Sequence, residues 1–304
     1  MAAQDTAEDL RRIREGLERA AEAVRPYTPG SVAWATKAER GDPITAADLA
    51  IDRVLRETLP RGDEGWLSEE TVDDHARLGS GRVWIIDPVD GTREFVEGIP
   101  EWCVSIGLVE NGRPLAGGIL NPATGELVLG AVGAGVTLNG EAVVYADGSR
   151  PESGVESAIG VERGADPLAG SGAGSGGDSG ADLDTDSGTG AVGLEGARVL
   201  ASRSEVKRGE WDRYSDAGFE VVPCGSVAYK LGQVAAGLAD ATWTLVPKHE
   251  WDVAGGAALI RAAGLHLCHA DGSERTFNQP DTRLPNFLAG PARLLDEFRD
   301  RWVV

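Results

Sequence analysis

The alternation of apolar and polar positions divides the chain into helical and extended segments. Residues 6–24 place Leu10, Ile13 and Leu17 at steps of three and four, the period of an amphipathic helix. A similar apolar face predicts a second helix over 45–59. Short apolar runs punctuated by Asn-Gly and Thr-Gly turns predict strands, which cover residues 83–86, 103–109, 117–120 and 126–132. The first half is therefore predicted to combine helices with a sheet.

The second half of the chain alternates strand and helix patterns. The predicted strands are 198–202, 219–224, 241–245 and 265–268, and the predicted helices are 227–236 and 252–263. Because helices and strands are mixed in both halves, the pattern favours a layered α/β architecture.

A segment of different composition separates the two halves. Residues 164–193 are rich in Gly and Asp and contain no aromatic residue. Such a segment cannot bury enough apolar surface to offset the conformational entropy lost on ordering, so it is predicted to be a flexible insertion. The predicted organisation is an N-terminal α+β domain over 1–145, an insertion over 146–196 and a C-terminal α/β domain over 197–304.

Charge and cysteine content disfavour several classes of protein. The 49 acidic residues outnumber the 29 basic ones, for a net charge of −20, whereas affinity for nucleic acid comes mainly from Lys and Arg at phosphates. No apolar run reaches the length of a membrane span, and the acidic N-terminal residues are unlike a signal peptide. The three cysteines lack the spacing of a disulfide framework or a thiolate metal site. We therefore expect an acidic, cytoplasmic protein that binds neither nucleic acid nor a membrane.

The strongest chemical signal follows the first apolar strand of the chain. Asp87 and Asp90 lie three residues apart around a turn, and two carboxylates held so close normally bind a cation or share a proton. With the main-chain carbonyl of Val89 they offer the hard oxygen ligands that Mg²⁺ prefers. Gly91 and Thr92 would then open a helix whose free N–H groups face an anion. A solvated Asp-Pro turn that caps a helix explains the same residues.

Three further acidic positions also allow a structural and a chemical interpretation. Glu69 fits the first turn of a capped helix. Asp48 fits a capping box that Thr45 opens, and Asp252 stands at the start of an Ala- and Gly-rich helix, where the helix dipole favours an acid. Acids at the ends of separate elements of an α/β protein can also converge on a metal cluster.

The combination of these segments resembles the inositol monophosphatase superfamily in order and approximate spacing. The segments are Lys37, Asp42-Pro43-Ile44-Thr45-x-x-Asp48, Ser68-Glu69-Glu70, Asp87-Pro88-Val89-Asp90-Gly91-Thr92, Gly225-Ser226 and Trp251-Asp252-x-Ala254-Gly255-Gly256. The resemblance covers nearly the whole chain outside the Gly- and Asp-rich segment. It implies an α-β-α-β-α layered fold, a homodimer, and a Mg²⁺-dependent, lithium-sensitive phosphatase of small phosphate esters.

Within the superfamily the chain is most similar to the CysQ-like branch, which removes the 3′-phosphate of adenosine 3′,5′-bisphosphate. The similar segments are Arg93-Glu94-Phe95, Ser202-Arg203-Ser204 and Gly225-Ser226-x-x-Tyr229-Lys230. By ungapped counting from Asp252, Leu245 stands where inositol monophosphatases carry a sugar-contacting Glu. We therefore expect 3′-phosphoadenosine 5′-phosphate as the substrate. Inositol 1-phosphate and fructose 1,6-bisphosphate are the alternative substrates, and a noncatalytic cation- or phosphate-binding regulator is the alternative from another class.

The resemblance also implies roles for the matched residues. Two or three Mg²⁺ ions are expected to be held by Glu69, Asp87, Val89, Asp90 and Asp252. The attacking water is expected to be oriented and deprotonated by Glu69, Thr92 and Asp48. The substrate is expected to contact Gly91, Thr92, Gly225, Ser226, Lys230 and Asp252.

Several basic residues are candidates for contacts with the rest of the substrate. Arg93, Arg203 and Lys230 are candidates for a second phosphate, and surface salt bridges are the alternative explanation for each. Lys37 is expected to reach the catalytic region by resemblance only. His249 is a candidate for substrate contact, although a solvent-facing histidine is the simpler expectation.

Overall fold

The computed structural model describes residues 2–36, 43–145 and 193–303. Lys37, Asp42 and residues 146–192 of the predicted insertion lie outside these ranges, and the predicted domain boundaries stay a prediction. The helices are α1 Ala2–Val24, α2 Ala46–Thr58, α3 Thr92–Glu97, α4 Arg203–Lys207, α5 Val227–Ala235, α6 Glu250–Ala262 and α7 Ala292–Trp302. The strands are β1 Trp34–Thr36, β2 Pro43–Thr45, β3 Gly65–Ser68, β4 Arg82–Asp90, β5 Cys103–Glu110, β6 Arg113–Asn121, β7 Glu126–Ala131, β8 Gly135–Leu138, β9 Glu141–Val143, β10 Arg198–Ser202, β11 Glu220–Cys224, β12 Ala241–Thr244, β13 Lys248–His249, β14 His266–Cys268, β15 Arg283–Leu284 and β16 Phe287–Gly290.

A seven-stranded sheet forms in the first half of the chain, in the order β3-β4-β5-β6-β7-β8-β9. β3 and β4 are parallel, whereas the later neighbours are antiparallel. Both faces of β4 are buried, because Trp84 and Ile86 pack towards α1 and α2 while Val83 and Ile85 pack towards the opposite side. This explains why the strand is a continuous apolar run rather than an alternating one.

β4 is longer than its apolar run predicts. Its pairing with β5 continues to Asp90, opposite Cys103, through a register shift between Asp87 and Asp90. The prediction that the strand ends at Asp87-Pro88 is therefore wrong. Pro88 lies within the shifted stretch, and a bulge is a position where a strand tolerates a residue without an N–H group.

A five-stranded sheet forms in the second half, in the order β11-β10-β12-β16-β14. β10 runs parallel to β11 and β12, and β16 is antiparallel to both β12 and β14. α7 was not predicted, although Leu294, Leu295 and Phe298 form its buried face at the spacing of an amphipathic helix.

The two sheets and the helices stack in five layers. α1 and α2 pack on the outer face of the first sheet, α5 and α6 lie between the sheets, and α7 covers the outer face of the second sheet. Successive side chains of β10 point to opposite faces of the second sheet. Leu200 packs towards α5 and α6, whereas Val199 and Ala201 pack towards α7. The predicted α-β-α-β-α fold is confirmed.

Candidate active site

Carboxylates from three separate parts of the chain line one open cleft of about 340 Å³. Asp87 and Asp90 come from the end of β4, Glu69 follows β3, and Asp252 lies in the first turn of α6. Glu69 reaches the cleft because β3 and β4 are parallel neighbours, and its N–H donates to the carbonyl of Ile86 over 3.3 Å. The carboxyl ends of neighbouring parallel strands lie at the same edge of a sheet. We call this cleft, with these four acids, the carboxylate cleft.

The turn after β4 is buried rather than solvated. Asp87 and Asp90 are 1% and 8% exposed, and Asp87 accepts the Val89 N–H over 3.1 Å. The chain then turns at Gly91, whose φ of 93° is readily available only to glycine, and α3 begins. The interpretation of a solvated Asp-Pro turn is therefore wrong, whereas the predicted helix after Gly91 is present.

The segment around Glu69 is not helical. Ser68 ends β3 and the chain bends at Glu69 and Glu70, so the interpretation as the first turn of a capped helix is wrong. The Ser68 hydroxyl instead bonds the carboxylate of Asp52, which also accepts the Thr71 hydroxyl over 2.9 Å. These bonds tie the segment that carries Glu69 to α2.

Glycines let α6 pack so closely on its neighbours that Asp252 reaches the cleft. A Cβ on Gly117 of β6 would lie 2.3 Å from the carbonyl oxygen of Gly255, and one on Gly256 would lie 2.3 Å from Cβ of Leu231. Gly117 of β6 therefore lets α6 pack directly against that strand, and Gly256 of α6 lets the helix pack directly against α5. Asp252 also accepts the N–H of His249 over 2.8 Å, so it caps the helix as well as lining the cleft.

The acids of the cleft carry more negative charge than their surroundings neutralise. Burial, followed by the repulsion of Asp90 and Glu69, raises the pKa of Asp252 to about 8. Burial also raises the pKa of Asp90, although hydrogen bonds from Ser226 and Ala228 oppose the shift. Burial and like charge both disfavour the ionised carboxylate, and a bound cation would remove both penalties.

The donors of the cleft fit Mg²⁺ by their chemistry. They are carboxylate oxygens together with the Val89 carbonyl, which lines the same cleft. Within residues 2–36, 43–145 and 193–303, no three His, Cys, Asp or Glu side chains form a ready-made metal cage. Mg²⁺ is usually bound through one or two carboxylates, water and substrate phosphates rather than by such a cage. The residues therefore fit this ion.

Thr92 and Asp48 form a buried pair behind the acids. The hydroxyl oxygen of Thr92 lies 2.9 Å from the Val89 carbonyl oxygen and 3.3 Å from Oδ1 of Asp48. Oδ2 of Asp48 accepts both the N–H and the hydroxyl of Thr45, over 2.8 and 2.6 Å. The capping box is present, and its fully buried acid also contacts Thr92. Asp48 itself does not line the cleft, whereas Thr92, which it contacts, does.

The opposite wall of the cleft is the beginning of α5. Ser226 donates a hydrogen bond to Asp90 over 2.7 Å and accepts the Tyr229 N–H over 2.9 Å. Its φ of 56° is strained for a residue with a side chain. A Cβ on the neighbouring Gly225 would lie 2.5 Å from Cγ of Glu94, so a larger residue there would displace the Glu94 side chain. The predicted substrate contacts Gly91, Thr92, Gly225, Ser226, Lys230 and Asp252 all line the cleft.

The basic residues near the cleft differ from the predicted set. Arg93 and Lys230 line it as predicted, and the Lys230 ammonium donates to the Ser226 carbonyl over 2.7 Å. Arg203 instead forms an ion pair with Glu101, so the salt-bridge explanation accounts for it. Lys248 and Arg208 also line the cleft, and neither was predicted from the sequence. The closeness of Lys248 to Asp252 in the sequence was the one signal that indicated it.

Two other residues do not line the cleft. His249 is half-buried, stacks on Trp251 with ring centres 4.5 Å apart, and contacts the hydroxyl of Thr282. Its ring is therefore not solvent-facing, and its backbone N–H binds Asp252, a residue of the cleft. Leu245 packs beside the aromatic residues under α7, so it offers no group in place of a sugar-contacting Glu.

Comparisons with known proteins agree with this fold and cleft. Residues 6–299 match the model of the inositol monophosphatase family. The chain is 32% identical over 275 residues to the 3′-phosphoadenosine 5′-phosphate phosphatase of Mycobacterium bovis, covering 88% of this chain and 84% of that one. It is 29% identical over 231 residues to inositol monophosphatase 2 of Saccharomyces cerevisiae, covering 75% and 70% of the two chains.

A structural comparison supports the fold. The extragenic suppressor protein suhB of Bartonella henselae superposes over 100% of both chains with a TM-score of 0.68 at 21% identity. No helix in the described parts of this chain is long and apolar enough to cross a membrane. The predicted family and the predicted phosphatase class are both confirmed. A family match over nearly the whole chain, together with the fold it requires, shows that the protein belongs to the inositol monophosphatase family.

Proposed function

We propose that the protein is a Mg²⁺-dependent phosphomonoesterase that removes the 3′-phosphate of 3′-phosphoadenosine 5′-phosphate by attack of water. The observation that carries this proposal is that acidic and basic side chains line the same cleft. Glu94 and the four acids that define the carboxylate cleft line it, and Arg93, Arg208, Lys230 and Lys248 line it as well. A substrate with one phosphate at the acids and a second phosphate at the cations matches this arrangement. The similarity to the Mycobacterium bovis phosphatase gives independent support.

The residues that would hold Mg²⁺ are Glu69, Asp87, Asp90, Asp252 and the carbonyl of Val89. When bound there, the ion would acidify water and stabilise the charge that develops on the leaving oxygen. Thr92 is placed to orient the attacking water, because its hydroxyl lies between the cleft and Asp48. If that hydroxyl donates to Asp48, its lone pairs are left to accept the O–H of the water. Asp48 is thus a positioning residue.

The remaining contacts orient the phosphates. Gly91 and Thr92 lie at the start of α3, where backbone N–H groups have no acceptor inside the helix, and they line the cleft. Lys230 is buried and fixed by a main-chain carbonyl. The Lys248 ammonium lies 3.8 Å from the buried carboxylate of Glu205. Both ammonium groups are therefore held in position before a second phosphate arrives, which reduces the entropy lost on binding.

Side-chain chemistry favours water over a covalent nucleophile. The Ser226 hydroxyl is engaged with Asp90 and the Tyr229 N–H. Cys103 and Cys224 are buried, and burial raises the pKa of the Cys103 thiol well above its usual range and that of Cys224 to about 12. A thiol is a weak nucleophile until it ionises. Neither Ser226 nor these two cysteines is therefore an activated nucleophile for attack on phosphorus.

The test is phosphate release from three substrates with Mg²⁺ and with excess EDTA. The substrates are 3′-phosphoadenosine 5′-phosphate, inositol 1-phosphate and fructose 1,6-bisphosphate. We expect the highest kcat/KM for the nucleotide and no release in EDTA. Asp90→Asn should reduce kcat/KM by more than about 100-fold. Removing a residue that only hydrogen-bonds a metal ligand usually lowers activity about 10- to 100-fold, and removing the ligand itself should lower it more. Asp300→Asn, which removes an exposed acid on α7, is the matched control.

The outcomes separate the alternatives. A higher kcat/KM for inositol 1-phosphate would replace the nucleotide with the substrate named for the yeast relative. Equal release with and without Mg²⁺ would contradict the metal-dependent mechanism. No release from any of the three esters would favour the noncatalytic cation- or phosphate-binding regulator.

A further inference from the structure

A second cleft, of about 490 Å³, lies at the far end of α6 from Asp252. Four arginines line it: Arg113 at the start of β6, Arg261 in the last turn of α6, Arg275 in the loop after β14, and Arg299 on α7. We call it the arginine cleft. Nine residues of helix separate Asp252 from Arg261, which corresponds to about 14 Å along the axis, so the two clefts are separate sites.

The arginine cleft has an excess of positive charge in a chain whose net charge is −20. Its lining includes only two acids, Glu274 and Asp296, and Asp296 is already paired with Arg299. Within the described ranges, no carboxylate lies within 4.0 Å of the guanidinium nitrogens of the other three arginines. Glu250 and Asp281 attract the charge of Arg275 at longer range, so the cations of this cleft without an acidic partner among the described residues are Arg113 and Arg261.

Neighbouring groups hold the guanidinium groups in position. Arg261 donates to the carbonyl of Pro114. Arg299 lies against Gly272, where a Cβ would come within 2.2 Å of its Nη1. The Nε of Arg275 is buried and has no hydrogen-bond partner among the described residues. Buried donors in folded proteins are nearly always satisfied, so this N–H calls for an acceptor that the described residues do not supply.

We propose that the arginine cleft binds a small anion with two or more phosphate groups. A guanidinium presents planar pairs of N–H donors that match two oxygens of one phosphate. Arginines from four separate elements can engage more than one phosphate at once, whereas a single isolated arginine would be solvated. The overall negative charge repels anions at a distance, so binding depends on the local convergence of these side chains.

The test is isothermal titration of the full chain with inorganic pyrophosphate in Mg²⁺-free buffer, which keeps pyrophosphate uncomplexed. We expect saturable binding that Arg261→Gln and Arg275→Gln each weaken about tenfold, the usual effect of losing one charge-assisted hydrogen bond. Arg261 is exposed, so its variant should fold normally even if that of the half-buried Arg275 does not. Arg261→Gln should also leave phosphate release from the nucleotide unchanged.

Two controls locate the signal. Arg14→Gln removes an exposed arginine of α1 and should leave pyrophosphate affinity unchanged. Lys230→Gln changes the carboxylate cleft and should also leave it unchanged. The proposal is overturned if pyrophosphate does not bind, if Arg14→Gln weakens binding as much as Arg261→Gln, or if only Lys230→Gln weakens it. None of these results depends on whether the protein hydrolyses a nucleotide.

Discussion

The two ends of α6 carry clefts of opposite charge, and they are built differently. At its first turn, Asp252 meets acids that are buried and fixed by hydrogen bonds. At its last turn, the exposed Arg261 meets arginines from three other elements. The helix dipole favours this polarity, because it attracts acids to the first turn and bases to the last.

The charge of the lining side chains does not by itself explain what either cleft is suited to bind, because burial also differs between the two clefts. Burial makes the carboxylate cleft costly without a cation, since it raises the pKa of both Asp90 and Asp252. Arg113 and Arg261 of the arginine cleft are exposed, so keeping these cations costs less than keeping the buried acids, and binding there should be weaker. A buried, rigid site is suited to chemistry, whereas an exposed site is suited to reversible binding.

The largest loss of activity is expected from a substitution of Thr92, and it should affect the carboxylate cleft but not the arginine cleft. Thr92→Val removes the hydroxyl that contacts Asp48 while keeping the size of the side chain, and should lower kcat by about 100-fold or more, because the attacking water loses the group that orients it. Thr92→Ser should retain most of the activity. Pyrophosphate binding at the arginine cleft should not change in either variant.

A double-mutant cycle tests whether Asp48 acts through Thr92. Asp48→Asn should add little to the loss in the Thr92→Val background, because residues that act as a unit are not additive. Steady-state kinetics of the two single variants and the double variant measure this. Fully additive losses would contradict the proposal that Asp48 acts through Thr92.

A smaller effect is expected from the cations of the carboxylate cleft. Lys230→Ala and Lys248→Met should each lower kcat/KM for 3′-phosphoadenosine 5′-phosphate about tenfold, as expected for one charge-assisted contact. The same variants should have little effect on a nucleoside monophosphate, which lacks the second phosphate. Equal losses on both substrates would remove the proposed role of these lysines.

The smallest effect tests the strain at Ser226. Ser226→Ala loses the hydrogen bonds to Asp90 and Tyr229 but keeps a side chain at a φ of 56°. Ser226→Gly loses the same bonds and relieves the strain. Chemical denaturation should therefore show Ser226→Gly to be more stable than Ser226→Ala by about 1 kcal/mol. If Ser226→Ala is the more stable of the two, the backbone at this position is not strained.

Local patterns predicted most of the secondary structure, and the errors have physical causes. Amphipathic spacing indicated α1 and α2, because one face of each helix packs on a sheet. The alternation of strand and helix patterns indicated α5 and α6, which are buried between the sheets. The end of β4 was misjudged because pairing with β5 carries the strand past Pro88. The helix expected at Glu69 does not form, because parallel pairing of β3 with β4 determines that segment instead.

The candidate site was also partly accessible from the sequence. Asp87, Asp90, Glu69 and Asp252 were named from their motifs, and all four line one cleft. Lys248 and Arg208 were missed, since no short motif relates either residue to the acids. Arg203 was named but is paired with Glu101, a partner about a hundred positions away that no local pattern reveals.

The sequence by itself determined the order of helices and strands, the family and the acids available for a cation, because these depend on short-range periodicity and on motifs of adjacent residues. Only the tertiary structure decided which charges share a cleft. The absence of side chains at Gly117, Gly255 and Gly256 lets α6 pack closely, which places Asp252 beside Asp90 and Arg261 among three distant arginines. Which side chains converge depends on how closely elements remote in the chain pack against one another. No single segment of the sequence specifies that distance.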